Sequence, residues 1–94
     1  MTRENPSDRG LWNRTAFSWD SDECIAQVMD RGTPHDWRIL GRAAQTDAEL
    51  RRRMRDIISR VPLPLPHFWL ALLASQGEQI NWDAPLPDYA EAGT

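Results

Sequence analysis

The 94-residue sequence has no lysine, one cysteine, one tyrosine and two histidines, and its longest apolar run is Phe68 to Ala74. The lone cysteine, Cys24, cannot close an internal disulfide and gives no metal-ligand spacing, so it reads as a small buried apolar residue. The apolar run is far shorter than the roughly 20 residues that a membrane-spanning helix needs. The N-terminal region lacks the apolar core of a secretory signal, and a cytoplasmic location is expected. His35 and His67 stand at no helical spacing from Cys24 or from each other. No Gly-rich phosphate loop, Gly-x-Ser-x-Gly or Cys-x-x-Cys is present. Three carboxylates between Asp20 and Glu23 are accounted for by the electrostatics of a helix start. These absences predict a protein that is not an enzyme, with no catalytic residue, no metal and no cofactor.

Without lysine, every side-chain cation apart from histidine is an arginine, whose planar fork pairs with carboxylate or phosphate through two parallel hydrogen bonds. The formal net charge of −3 is spread unevenly. Residues 1–30 carry a net −3, residues 31–60 a net +4 and residues 61–94 a net −4. Five tryptophans are unusual in so short a chain; some are expected in the core, but tryptophan is also a favoured interface anchor.

What is present is helical. Leu50, Met54, Ile57 and Val61 recur at spacings of four, three and four, which places them on one helix face. Thr46 and Glu49 have the spacing of a capping box for that helix. Upstream, Asp20-Ser-Asp-Glu offers several possible N-caps for a helix bearing Cys24, Ile25, Val28 and Met29, which Gly32 is expected to stop in the left-handed conformation. Thr33 caps the next helix and Pro34 opens it. The prolines between Val61 and Pro66 break the chain before a fourth helix, His67 to Gln76, which Gly77 closes.

The expected fold is all-α: a small bundle of about four helices with extended N- and C-terminal segments. The expected organisation is a flexible N-terminal arm at 1–15, a helical domain at 16–77 and an acidic, Pro-rich tail at 78–94. Within the domain, Phe17 and Trp19 are expected on a docked loop. The expected core is Ile25, Val28, Trp37, Leu40, Leu50, Met54, Ile57, Phe68, Leu72 and Leu73.

Two surfaces are candidates for function. The tail carries Trp82, Asp83, Leu86, Asp88 and Tyr89, spaced anchors among acids, which suits either a segment that orders on a partner or one that folds back over the bundle. The cluster Arg51, Arg52 and Arg55 on the third helix is the second partner-contact candidate. A helix-turn-helix-like DNA-binding regulator is the alternative reading, in which these arginines face phosphates or bases. Acids on both sides and a sequence pI of about 5.2 weigh against it.

Three motifs carry a family resemblance: Ala16-Phe-Ser-Trp-Asp, then Gln27-Val-Met-Asp-Arg-Gly-Thr-Pro-His-Asp-Trp-Arg-Ile-Leu, then Pro66-His-Phe-Trp-Leu-Ala-Leu-Leu. Over Phe17 to Leu73 the chain resembles a family of small prokaryotic helical proteins of unknown function, often encoded beside nucleotidyltransferase toxins of the AbiEii kind. The resemblance implies an antitoxin or accessory protein that binds and neutralises a partner toxin, and it implies no catalytic residue. A nucleotidyltransferase holds its triphosphate in a positively charged cleft, which an acidic tail complements. On this reading the partner is a protein, nucleic acid is the lesser candidate, and no membrane is involved.

Overall fold

Helix-start chemistry sets the element order. In a computed structural model, which describes residues 4–7 and 16–89, four helices follow one another: α1 (Asp22–Arg31), α2 (Pro34–Gln45), α3 (Ala48–Arg60) and α4 (Pro66–Ser75). No strand occurs among the described residues. The protein is an all-α bundle, and none of its described helices is long and apolar enough to cross a membrane.

Ser21 caps α1 by accepting from the Cys24 amide, and Asp22 and Glu23 lie in the first turn, where the helix dipole favours negative charge. Thr33 and Asp36 form a full capping box on α2, with Pro34 opening the helix. At α3 the expected box at Thr46 and Glu49 does not form. Asp47 is the cap, accepting from the Leu50 amide at 3.0 Å, while Thr46 ends α2. The two helices are so close that one residue closes the first and its neighbour opens the second. Helix α4 has no side-chain cap; Pro66, lacking an N–H, leaves one fewer donor to satisfy.

Gly32 stops α1, but not in the left-handed conformation expected of it. Its φ is −64°, which any residue adopts. Glycine is needed there for space: a Cβ would lie 2.5 Å from the Val28 carbonyl oxygen and 3.3 Å from Asp36 Cβ. That carbonyl already accepts from the Gly32 amide at 2.8 Å and from Trp37 Nε1 at 2.7 Å, so it cannot retreat without breaking the α1–α2 corner. Gly32→Ala is therefore expected to cost about 1–3 kcal/mol, the usual penalty for overpacking, as read by urea denaturation. Gly77, by contrast, does take the left-handed region, at φ +100°. The Glu78 amide reaches the Leu73 carbonyl and the Gly77 amide that of Ala74, closing α4 in a Schellman motif.

The core lies where α3 packs against α1, α2 and α4. It is built from Ile25, Val28, Met29, Leu40, Ala44, Leu50, Met54, Ile57, Ile58, Leu63, Trp69 and Leu73, with Phe17 added from the preceding loop. Three expected core residues sit further out. Trp37 and Leu72 are half-buried, and Phe68 is 44% exposed. Trp69, one position on and so rotated about 100° around the helix, takes the interior place instead. Cys24 is half-buried against the core and makes no disulfide.

Of the predicted arm, residues 1–3 and 8–15 lie outside the described residues, but Glu4 to Ser7 is tied down. Pro6 is buried, Asn5 Oδ1 accepts from Trp19 Nε1 at 2.7 Å, and Ser7 donates its amide and hydroxyl to the Asp36 carboxylate. Trp19 in turn meets the edge of Phe17 at 4.9 Å between ring centroids, so this loop is docked as expected.

Candidate partner-binding surfaces

The arginine face of α3 is occupied by the protein itself. Arg51 donates through Nε to Glu78 Oε2 at 2.9 Å and through Nη1 to the Ala44 and Gln45 carbonyls. It thus places a cation at the negative end of α2 while holding the start of the tail. Arg55 reaches the other oxygen of Glu78, also at 2.9 Å. Between them the two guanidinium groups, by hydrogen bonds first and charge second, hold the Glu78 carboxyl below its ordinary pKa. Arg52 pairs with Glu49, Arg53 with Asp22 at 2.7 Å and Arg60 with Asp56. Every arginine of this helix has a carboxylate partner. Of the three expected to contact a partner, Arg51 is the most committed to the fold, with only 16% of its side chain exposed.

The tail leaves the Gly77 turn at Glu78 and lies along the bundle. Ile80 and Leu86 pack against the core, spanning a crevice of about 360 Å³ whose walls include Ile58 and Leu70. Between them the chain turns at Asn81, whose carbonyl accepts from the Ala84 amide and whose side-chain oxygen accepts from the Asp83 amide. Trp82 rides on this turn, 53% exposed, with Asp83 exposed beside it. Asp88 is also exposed. Tyr89 ends the described tail; its hydroxyl bonds the Asp30 carboxylate, and that bond, with the negative charge behind it, raises the phenol pKa. The five expected tail residues thus separate into different roles. Leu86 anchors the tail, Tyr89 ties it to the end of α1, and Trp82 and Asp83 face outward. The remaining tail residues, 90–94, lie outside the described residues.

A third surface was not singled out in the sequence. A groove of about 680 Å³ runs between α2 and α4, floored by Trp37, Phe68 and Leu72. Gly41 lets Leu72 of α4 pack directly on the α2 backbone: a Cβ there would sit 2.9 Å from Leu72 Cδ1. Gln76 closes one end by donating to the Gly41 carbonyl at 2.9 Å. Arg38 and Arg42 line the α2 side, and among the described residues neither has a carboxylate partner. The signal was available, since Trp37, Arg38, Gly41 and Arg42 share one helix face, but a half-apolar face next to a core stripe reads as more core.

No family model matches the sequence, and no curated protein and no solved structure matches it either.

Proposed function

We propose that the protein is a partner-binding accessory subunit of the antitoxin kind, acting by occupying a toxin, a nucleotidyltransferase being the partner that the family resemblance implies. The observation that carries the binding role is Trp82: a large aromatic side chain more than half exposed on a turn that is anchored at both ends. Burying such a ring costs little ordering entropy, because the turn is already fixed, and tryptophan is among the residues that most often dominate interface energies. Asp83 beside it adds the negative charge that a triphosphate cleft favours. The DNA-binding alternative needs free cations on α3, and Arg51, Arg52, Arg53, Arg55 and Arg60 are all paired within the protein. A polyanion would have to displace four carboxylates, Asp22, Glu49, Asp56 and Glu78, to reach them.

Co-expression with the product of the adjacent gene, followed by affinity capture, tests the pairing. The expected result is co-purification and loss of toxicity. The double substitution Trp82→Ala, Asp83→Lys is expected to weaken capture by about tenfold or more while leaving the melting temperature close to that of the parent. Absence of any complex with the full chain removes the proposal; a complex indifferent to the double substitution moves the contact away from the tail turn.

A further inference from the structure

We propose that the groove between α2 and α4 is a second docking surface, which receives an acidic amphipathic helix of a partner protein. This rests on the groove alone and not on the tail. Its α2 wall is formed by positions 34, 37, 38, 41, 42 and 45, a single stripe that runs the whole length of the helix. Twelve residues span about 16 Å, which is the length of three turns of a docked helix. The floor is what such a helix needs to bury its apolar face: Trp37 and Phe68 stack with tilted rings 5.6 Å apart, and Leu72 continues the surface. Phe68 is 44% exposed although it is one of only two phenylalanines in the chain.

Charge decides which helix fits. Among the described residues no carboxylate lines the groove, and Arg38 and Arg42 stand one turn apart on the same edge. Carboxylates four residues apart on an incoming helix face the two guanidinium groups in register. These are also the exception to the rule of the α3 surface, where each cation is already neutralised. A nucleic acid is disfavoured because two cations above an apolar floor offer little to a phosphate backbone, and the chain as a whole carries −3.

The probe is a labelled helical peptide of about 14 residues with Leu and Phe at positions i, i+4 and i+7 and Glu on both flanks; its control carries Lys in place of each Glu. In anisotropy titrations the full chain is expected to bind the Glu peptide about tenfold more tightly than the Lys peptide. Amide shifts should fall on Trp37, Gly41, Arg42 and Phe68. Arg38→Glu with Arg42→Glu is expected to invert the preference, a rescue that misfolding cannot imitate, and Phe68→Ser to weaken both peptides. Trp82→Ala should leave the titration unchanged, which keeps this result separate from that of the tail. Equal affinity for the two peptides overturns the proposal, as does shift mapping to another face or no binding at about 1 mM. So would preferential binding of a thymidine oligonucleotide, or a dimer that the Arg38 and Arg42 substitutions dissociate.

Discussion

Replacing Trp69 with alanine is expected to lower the melting temperature by roughly 20 °C. The side chain is fully buried, and its ring meets Trp37 at 5.5 Å and Phe68 at 5.0 Å, both edge-on. Truncating a buried tryptophan removes its transfer free energy and leaves a cavity that the surrounding side chains fill only in part, a loss of about 3–5 kcal/mol. A domain of this length holds on the order of 5–14 kcal/mol in all, and each kcal/mol shifts its midpoint by about 4–8 °C. Circular dichroism melts would read the change directly. Trp69→Phe is the informative companion. The Trp69 indole N–H is buried without an acceptor among the described residues, a state that already weakens the native fold. Phenylalanine removes that orphan donor along with part of the packing, so the loss should be about 1–2 kcal/mol, well below that of alanine. A Trp69→Ala protein that melts within a few degrees of the parent would show that Trp69 is not the centre of the α4 packing.

Trp69 also marks where sequence reading reached its limit. On α3, apolar residues alternate with arginines and acids, so the phase of the buried face is unambiguous, and Leu50, Met54 and Ile57 are all interior. Helix α4 reads Pro-His-Phe-Trp-Leu-Ala-Leu-Leu-Ala-Ser, apolar nearly all round. With no polar face to fix the phase, Phe68 and Trp69 are equivalent in the sequence, and only the position of α3 and α2 selects Trp69. The caps were legible for a related reason. Thr33, Pro34 and Gly77 act through local backbone geometry, which four or five residues determine, whereas the choice of Ser21 among the several cap residues of 20–23 came from the structure. The cap of α3 slipped by one residue because Thr46 and Asp47 are both good cap residues, and the choice depends on how α2 ends.

The arginine cluster was legible as charge and not as structure. Its carboxylate partners Asp22 and Glu78 are 31 and 27 residues from Arg53 and Arg51. No local pattern reports such pairings. Their consequence is that the exposed-looking basic helix is neutralised from within, while the two arginines that lack a carboxylate partner among the described residues are on α2, where the sequence drew no attention to them. The acidic tail is likewise two things at once. Glu78 clamps it to α3, and the turn that follows holds Trp82 and Asp83 away from the surface they would otherwise cover.

The largest polar effect is expected at Asp36. Among the described residues it is the one charged side chain in the interior, 1% exposed. Oδ1 accepts from the Ser7 amide at 2.9 Å, and Oδ2 accepts from the Ser7 hydroxyl at 2.8 Å and from the Thr33 amide at 3.0 Å. One carboxylate therefore completes the α2 capping box and fastens the N-terminal segment 29 residues away. Burial by itself would raise its pKa, but the bonds from the Ser7 and Thr33 amides and hydroxyls outweigh it and hold the carboxyl below its usual range. Asp36→Ala would strand two amide donors and undo the cap, a loss of about 3 kcal/mol. Asp36→Asn keeps the shape but turns an N–H2 toward donors, and about 2 kcal/mol should go. The sign of the pH dependence follows from the lowered pKa. The stabilisation is fully present above the unfolded carboxyl pKa of about 3.9 and is lost as the pH falls through the lower, folded value. Urea titrations of the parent and of Asp36→Asn should differ most at neutral pH and converge below about pH 4. Ser7→Ala, which removes one hydroxyl donor and no charge, should lose about 1 kcal/mol and leave most of that pH dependence in place. A gap between parent and Asp36→Asn that stayed constant down to about pH 2 would mean that the ionised carboxylate is not what holds the N-terminal segment on α2.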